Sequence, residues 1–208
     1  MSKLCLFVAI LFSCICSSVS AQTLDVAALK SFPPSVAREV FSVARYVKLD
    51  SDAQIALARA FEKEDAAFVQ AVEADGGILS VKSERKLEKM RDRTLADILS
   101  DEQLQQYYRG VYDAEALAEG NAVGDKLRKK YNLSDQNWKF IRIAFYKIGL
   151  ESRVINKLAA SPAEAKKKIA ALRKEQLATI EAKGGIRVND DMTVTVVRPF
   201  DPNALHKE

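Results

Sequence analysis

Two groups of side chains in this sequence are of types and spacings that could do chemistry. The first is acidic. Glu64-Asp65 breaks an apolar helical seam and could be a functional carboxylate pair in a groove. Two carboxyls at a defined separation and with divergent pKa values are the machinery of glycoside hydrolysis, and Glu62 with Asp65 is the pair such an enzyme would use. The competing reading takes Glu64-Asp65 as a gap where an apolar seam passes close to solvent, and the pattern favours it. The second group is basic and aromatic: Arg91, Arg93, Tyr107, Tyr108, Arg109 and Tyr112. Apolar and cationic groups on one surface can engage many unfolded chains without sequence readout. The competing reading has the tyrosines packing between helices with their hydroxyls in water.

Other chemistries are poorly supplied. The cysteines Cys5, Cys14 and Cys16 all precede Ala21, and the single histidine, His206, lies close to the C-terminus. No glycine-rich phosphate loop or other motif with a catalytic mechanism is present. The reading is therefore non-enzymatic, with no catalytic, cofactor-binding or metal-ligating residue assigned. The net charge is +4 with acidic and basic residues interspersed, unlike the dense basic stripe of a nucleic-acid binder.

Residues 1–21 read as an export signal: Lys3, an apolar core over 4–15, and Val19-Ser20-Ala21 with small residues at the −3 and −1 positions of a cleavage site. The apolar core is shorter than the roughly 20 residues of a membrane span, so no span is expected. Cleavage before Gln22 would remove every thiol and leave a periplasmic or secreted chain. The alternative is a lipoprotein anchored at Cys14. The expected layout is a signal peptide over 1–21, a single helical domain over 22–199 and a disordered tail over 200–208.

The elements that must position the candidate residues are mostly helical. The central stretch is 87–111. Leu87, Met90, Thr94 and Ile98 recur at steps of three and four, and Leu104, Tyr107, Tyr108 and Val111 begin a new face. Between them, Ser100 and Gln103 have the spacing of a capping box. The same pattern is read at Ser51 and Gln54 and at Ser161 and Glu164, the last with Pro162 at the first helical position. Helices are expected over 24–32, 35–47, 51–74, 83–100, 134–160 and from 161 to Gly184-Gly185. The 51–74 helix carries a seam of Leu57, Phe61, Phe68 and Val72. Beyond Val111 the pattern weakens: Gly110, Gly120 and Gly124 interrupt an Ala- and Glu-rich segment that reads as helix with a break, because each interior glycine costs about 1 kcal/mol. The 134–160 helix is apolar on two faces: Trp138, Ile141, Phe145, Ile148 and Ile155 on one, and Phe140, Ile143, Leu150, Val154 and Leu158 on the other. Residues 78–81 read as a short strand meeting a C-terminal β-hairpin whose turn is Asn189-Asp190-Asp191. The fold class is mainly α: helical hairpins or a bundle with a small C-terminal β-hairpin.

Leu49 to Gln54 and Leu133 to Gln136 partly echo Leu99-Ser100-Asp101-Glu102-Gln103. That last stretch, following Arg91, Asp92 and Arg93, resembles the LTxxQ motif of the CpxP/Spy-type periplasmic helical proteins. The resemblance covers about 46–112. It implies an envelope location, helical hairpins that often form a homodimer with a curved cradle, and shielding of unfolded or envelope proteins or stress sensing. The sequence departs from the family in its additional helices, its C-terminal hairpin and its lack of metal-binding histidines. The leading expectation is thus a non-enzymatic cell-envelope binding protein, a holdase-type chaperone or stress-response accessory. The alternatives are a partner-specific structural or interaction module of the envelope and a carboxylate-dependent hydrolase.

Overall fold

The computed structural model describes residues 24–197. The expected signal segment 1–21, Cys14 as the alternative lipid anchor, and the tail 200–208 with His206 lie outside the described residues. Seven helices and one antiparallel pair of strands follow in order: α1 (Val26–Leu29), α2 (Pro34–Ala44), α3 (Ser51–Ala74), α4 (Val81–Ile98), α5 (Asp101–Tyr131), α6 (Asp135–Leu158), α7 (Pro162–Gly184), β1 (Ile186–Val188) and β2 (Val194–Val196). This is the mainly α chain with a small C-terminal hairpin that the patterning predicts. It forms two compact units, one ending at Tyr107 and the other beginning at Tyr108.

In the first unit, Val36, Val40 and Val43 of α2 are buried with Leu57 and Phe61 of α3 and Leu95 of α4. α2 starts behind Pro33 without a side-chain cap, whereas α3 and α4 start at polar caps that differ from those the sequence suggests. At α3 the cap is Asp50, whose carboxylate accepts from the Ala53 N–H at 2.8 Å. Ser51 is therefore already helical, and its hydroxyl donates to Asp25 Oδ2 at 2.8 Å. Gln54 does not close a capping box. Its buried amide accepts from the Asp25 N–H at 2.9 Å and donates to the Leu49 carbonyl at 3.3 Å. Aspartate caps as well as serine does, so the chain uses the acid one residue earlier. Residues 78–81 form no strand. Ser80 caps α4 by accepting from the Ser83 N–H at 3.2 Å, and Val81 opens the helix. A serine three residues before a second serine, ahead of a charged helix, wins over a short β-branched run.

At Ser100 the capping box is complete. The Gln103 N–H donates to Ser100 Oγ at 3.2 Å, and Gln103 Oε1 accepts from the Ser100 N–H at 2.9 Å. The same Gln103 amide then donates to the Lys48 carbonyl at 2.7 Å, tying the start of α5 to the segment that leads into α3. At α7, Ser161 Oγ accepts from the Glu164 N–H at 3.2 Å, while the Glu164 carboxylate reaches the N–H of Ala160, one residue before the cap.

In the second unit α5 does not break at its glycines. Gly120 and Gly124 face α6, and a Cβ at Gly120 would lie 2.7 Å from the Arg142 carbonyl oxygen and 2.8 Å from the Tyr146 nitrogen. The helix carries glycine because α6 backbone occupies the space of a side chain. Polar pairs flank this close approach: Arg109 forks onto Glu151 at 2.9 and 3.1 Å, Tyr146 donates to Asp113 at 2.6 Å, and Arg153 Nη2 reaches Glu115 at 2.9 Å and Glu119 at 2.7 Å. The Asp113 hydrogen bond, with burial second, pushes the Tyr146 phenol up to about 12. On α6, Ile141, Phe145, Ile148, Leu150 and Val154 are buried, but Ile143 is 47% exposed, so the second apolar face is only partly used. Ile141 and Phe145 join Leu127, Ile180, Ile186 and Val188 in one core. The chain leaves α7 through Gly185 at φ 67°, and Ile186 pairs with Val196 and Val188 with Val194.

Two substitutions check this account. Ser100→Ala should cost about 0.5–2 kcal/mol in chemical denaturation, and at α3 that cost should fall on Asp50→Ala rather than on Ser51→Ala through capping. Gly120→Ala should destabilise by about 1–3 kcal/mol, as overpacking does, although alanine is the better helix former. A more stable Gly120→Ala variant would contradict the close approach of α5 and α6.

Candidate functional site

α3 and α4 run antiparallel, joined by a turn at Gly76 and Gly77 with φ of 77° and 99°, values that glycine adopts without strain. Glu64 follows Phe61 by three residues and so shares its inward face. The sequence favours a solvent-facing gap at Glu64-Asp65, but Glu64 is only 8% exposed. The correction has a physical cause on the facing helix. Arg91 supplies the counter-charge, with its Nε 2.8 Å from Glu64 Oε2. The same guanidinium pairs through its other arm with Glu39 of α2 and lies 3.9 Å from the centroid of the Phe61 ring. One cation thus joins three helices.

Glu39, Glu64 and Arg91 line a cleft of about 430 Å³. Its carboxylates are Glu39, Glu64, Asp65, Glu84 and Glu88, its apolar residues are Phe68, Leu79 and Leu87, and its cation is Arg91. Phe68, expected to continue the buried seam, is instead 50% exposed. Glu64 Oε1 is buried without a hydrogen-bond partner among the described residues. Burial raises the Glu64 pKa above its ordinary 4.5; the Thr94 hydroxyl and the Arg91 charge pull it down, and Glu39 and Asp65 add to the rise. The arrangement can hold a positive charge beside an apolar group. Among the described residues, no three of His, Cys, Asp or Glu are placed to hold a metal ion.

The six basic and aromatic candidates are divided between the two units. Arg91, Arg93 and Tyr107 belong to the first unit, and Tyr108, Arg109 and Tyr112 to the second. Arg91 is in the cleft, and Arg93 is exposed on another face of α4. Tyr107 meets Tyr46 edge-on at 6.1 Å. Tyr108, only 4% exposed, is a core residue stacked on Tyr112 at 6.2 Å. It lies four residues from buried Leu104, and the helical period carries it into the same buried stripe. Arg109 is engaged by Glu151. Of the hydrolase pair, Asp65 lines the cleft while Glu62 is exposed and does not. Glu39, Glu84 and Glu88 are site residues that the sequence reading did not select. Glu84, Leu87, Glu88 and Arg91 keep the i, i+3, i+4, i+7 spacing of one helical face, a signal present in the sequence. Glu39 reaches the site only through folding.

Comparison with known proteins finds no matching family model, no matching curated sequence and no matching solved structure.

The raised Glu64 pKa sets a pH dependence. The folded chain binds this proton more tightly than the unfolded chain does. The resulting stabilisation is fully present below 4.5 and is lost as pH rises through the raised value. Urea midpoints of the wild type and Glu64→Gln should therefore diverge in favour of the wild type on acidification from neutral pH. A difference that stays constant with pH would contradict the assignment.

Proposed function

We propose that this chain is a non-enzymatic binding protein of the cell envelope, and that its first unit takes ligands combining a cationic group with an apolar one. The observation that carries the reading is the cleft itself, in which five carboxylates and one guanidinium surround Phe68, Leu79 and Leu87. An excess of negative charge beside apolar surface favours lysine- or arginine-bearing apolar segments and repels acidic ones. Pockets of this kind use apolar area for affinity and a few polar groups for orientation. The partly exposed ring of Phe68 and the unpartnered Oε1 of Glu64 are the groups a ligand would cover. The Leu-Ser-x-x-Gln resemblance and the signal-like residues 1–21 support an envelope address, where such segments belong to unfolded or incompletely assembled envelope proteins. A holdase or stress-response accessory is the form this function would take.

A second reading is supported by one observation, the buried Glu64 with its raised pKa, which is the character of a general acid. In that reading the chain is a carboxylate-dependent hydrolase, with Glu64 in place of Glu62.

Fluorescence anisotropy separates the two. A labelled peptide of alternating lysine and leucine should bind, and one of alternating glutamate and leucine should not. The double variant Asp65→Asn/Glu84→Lys should weaken binding at least ten-fold while leaving helicity unchanged. Equal affinity for both peptides, or Glu64-dependent hydrolysis of a chromogenic glycoside without peptide binding, would contradict the binding reading.

A further inference from the structure

α4 carries two chemically opposed faces. Glu84, Leu87, Glu88 and Arg91 line the acidic cleft. Lys82, Arg85, Lys86, Lys89 and Arg93 recur at steps of three, one, three and four, which gathers them on the other side of the helix. All five are exposed, and among the described residues none is ion-paired. Asp75, whose carboxylate accepts from the Ser80 N–H at 2.8 Å, is held below its ordinary pKa by hydrogen bonds from Ser83 and Ser80, with a smaller contribution from Lys82. A shallow recess of about 840 Å³ lies against Lys82, Arg85, Lys86 and Lys89. At the end of this basic face, where the chain enters α4, Ile78 is 82% and Val81 63% exposed. Gly76 and Gly77, just before Ile78, add no side chain, and a Cβ at either would meet nothing within 4 Å.

We propose that this turn and the basic face of α4 dock on an anionic lipid bilayer, with Ile78 and Val81 entering the headgroup boundary and the five cations meeting lipid phosphates. Exposed aliphatic side chains flanked by lysine and arginine are the composition of interfacial anchors, and clustered cations on a helix are drawn to anionic leaflets. The lysine and arginine stems can lie along the apolar layer while their charges stay at phosphate level. A nucleic acid would use the cations but would leave Ile78 and Val81 in water. Among the described residues no helix is long and apolar enough to cross a membrane, so the contact is peripheral. It involves none of the cleft carboxylates.

Co-sedimentation of the purified chain with large vesicles tests the proposal. Vesicles of mixed phosphatidylglycerol and phosphatidylcholine should carry most of the protein down, and phosphatidylcholine alone should not. Raising the salt should release it, whereas inorganic phosphate at matched ionic strength should do no more than salt does. Lys86→Glu/Lys89→Glu should lower the partition coefficient at least ten-fold, and Ile78→Ser/Val81→Ser several-fold, both with wild-type circular dichroism. Arg85→Gln/Lys86→Gln, a milder pair, should give an intermediate loss. Equal binding to neutral vesicles, no binding to anionic ones, or displacement by phosphate beyond the salt effect would overturn the proposal. So would wild-type vesicle binding by Ile78→Ser/Val81→Ser. Preference for an acidic polypeptide over the vesicles would assign the face to a protein partner instead.

Discussion

Taking the Glu64 carboxylate out of water requires a cation within hydrogen-bonding reach, and Arg91 is that cation. The desolvation of a buried acid costs several kcal/mol in a protein interior unless such a partner is present. Arginine suits the position in a way lysine would not. Its planar guanidinium can donate to two carboxylates from different edges while its face rests on an aromatic ring, and here it does so with Glu64, Glu39 and Phe61. A compact ammonium could satisfy one of these contacts well, but not all three. α2, α3 and α4 are thereby fixed around an open cleft, where a purely apolar seam between them would have closed.

The second unit uses its polar groups for another purpose. Arg109 with Glu151, Arg153 with Glu115 and Glu119, and Tyr146 with Asp113 satisfy one another along a glycine-lined helix contact. A network whose donors and acceptors are mutually paired stiffens a fold. In the first unit charge is segregated across α4: carboxylates on the cleft side and, among the described residues, unpaired cations on the other. Segregating charge across one helix gives two surfaces with opposite preferences, and this is why the functional readings converge on the α3–α4 hairpin.

The sequence shows the elements better than the site. Amphipathic spacing is a local property, so the helices, the Ser100–Gln103 box and the C-terminal hairpin are legible from residues a few positions apart. The errors arise where a distant residue decides the outcome. Glu64 looks like a solvent-facing gap until Arg91, far along the chain, is placed beside it. Gly120 and Gly124 look like breaks until α6 is placed against them. Tyr108 looks like a surface aromatic when counted with Arg91 and Arg109, although its spacing from Leu104 already puts it on a core stripe. The strand expected at 78–81 fails for a local reason: the cap supplied by Ser80 competes with β-propensity, and an isolated short strand has no ladder to reward it.

The dependence of the cleft on Arg91 is tested most directly by a double-mutant cycle at Arg91 and Glu64, read as denaturant midpoints of Arg91→Met, Glu64→Leu and the double variant. Removing one partner strands the other charge, while removing both leaves an apolar contact of similar size. The account predicts that Arg91→Met alone destabilises more than the double variant does. Losses that simply add would mean that Arg91 and Glu64 act independently, and the helices would then owe their arrangement around the cleft to something other than this ion pair.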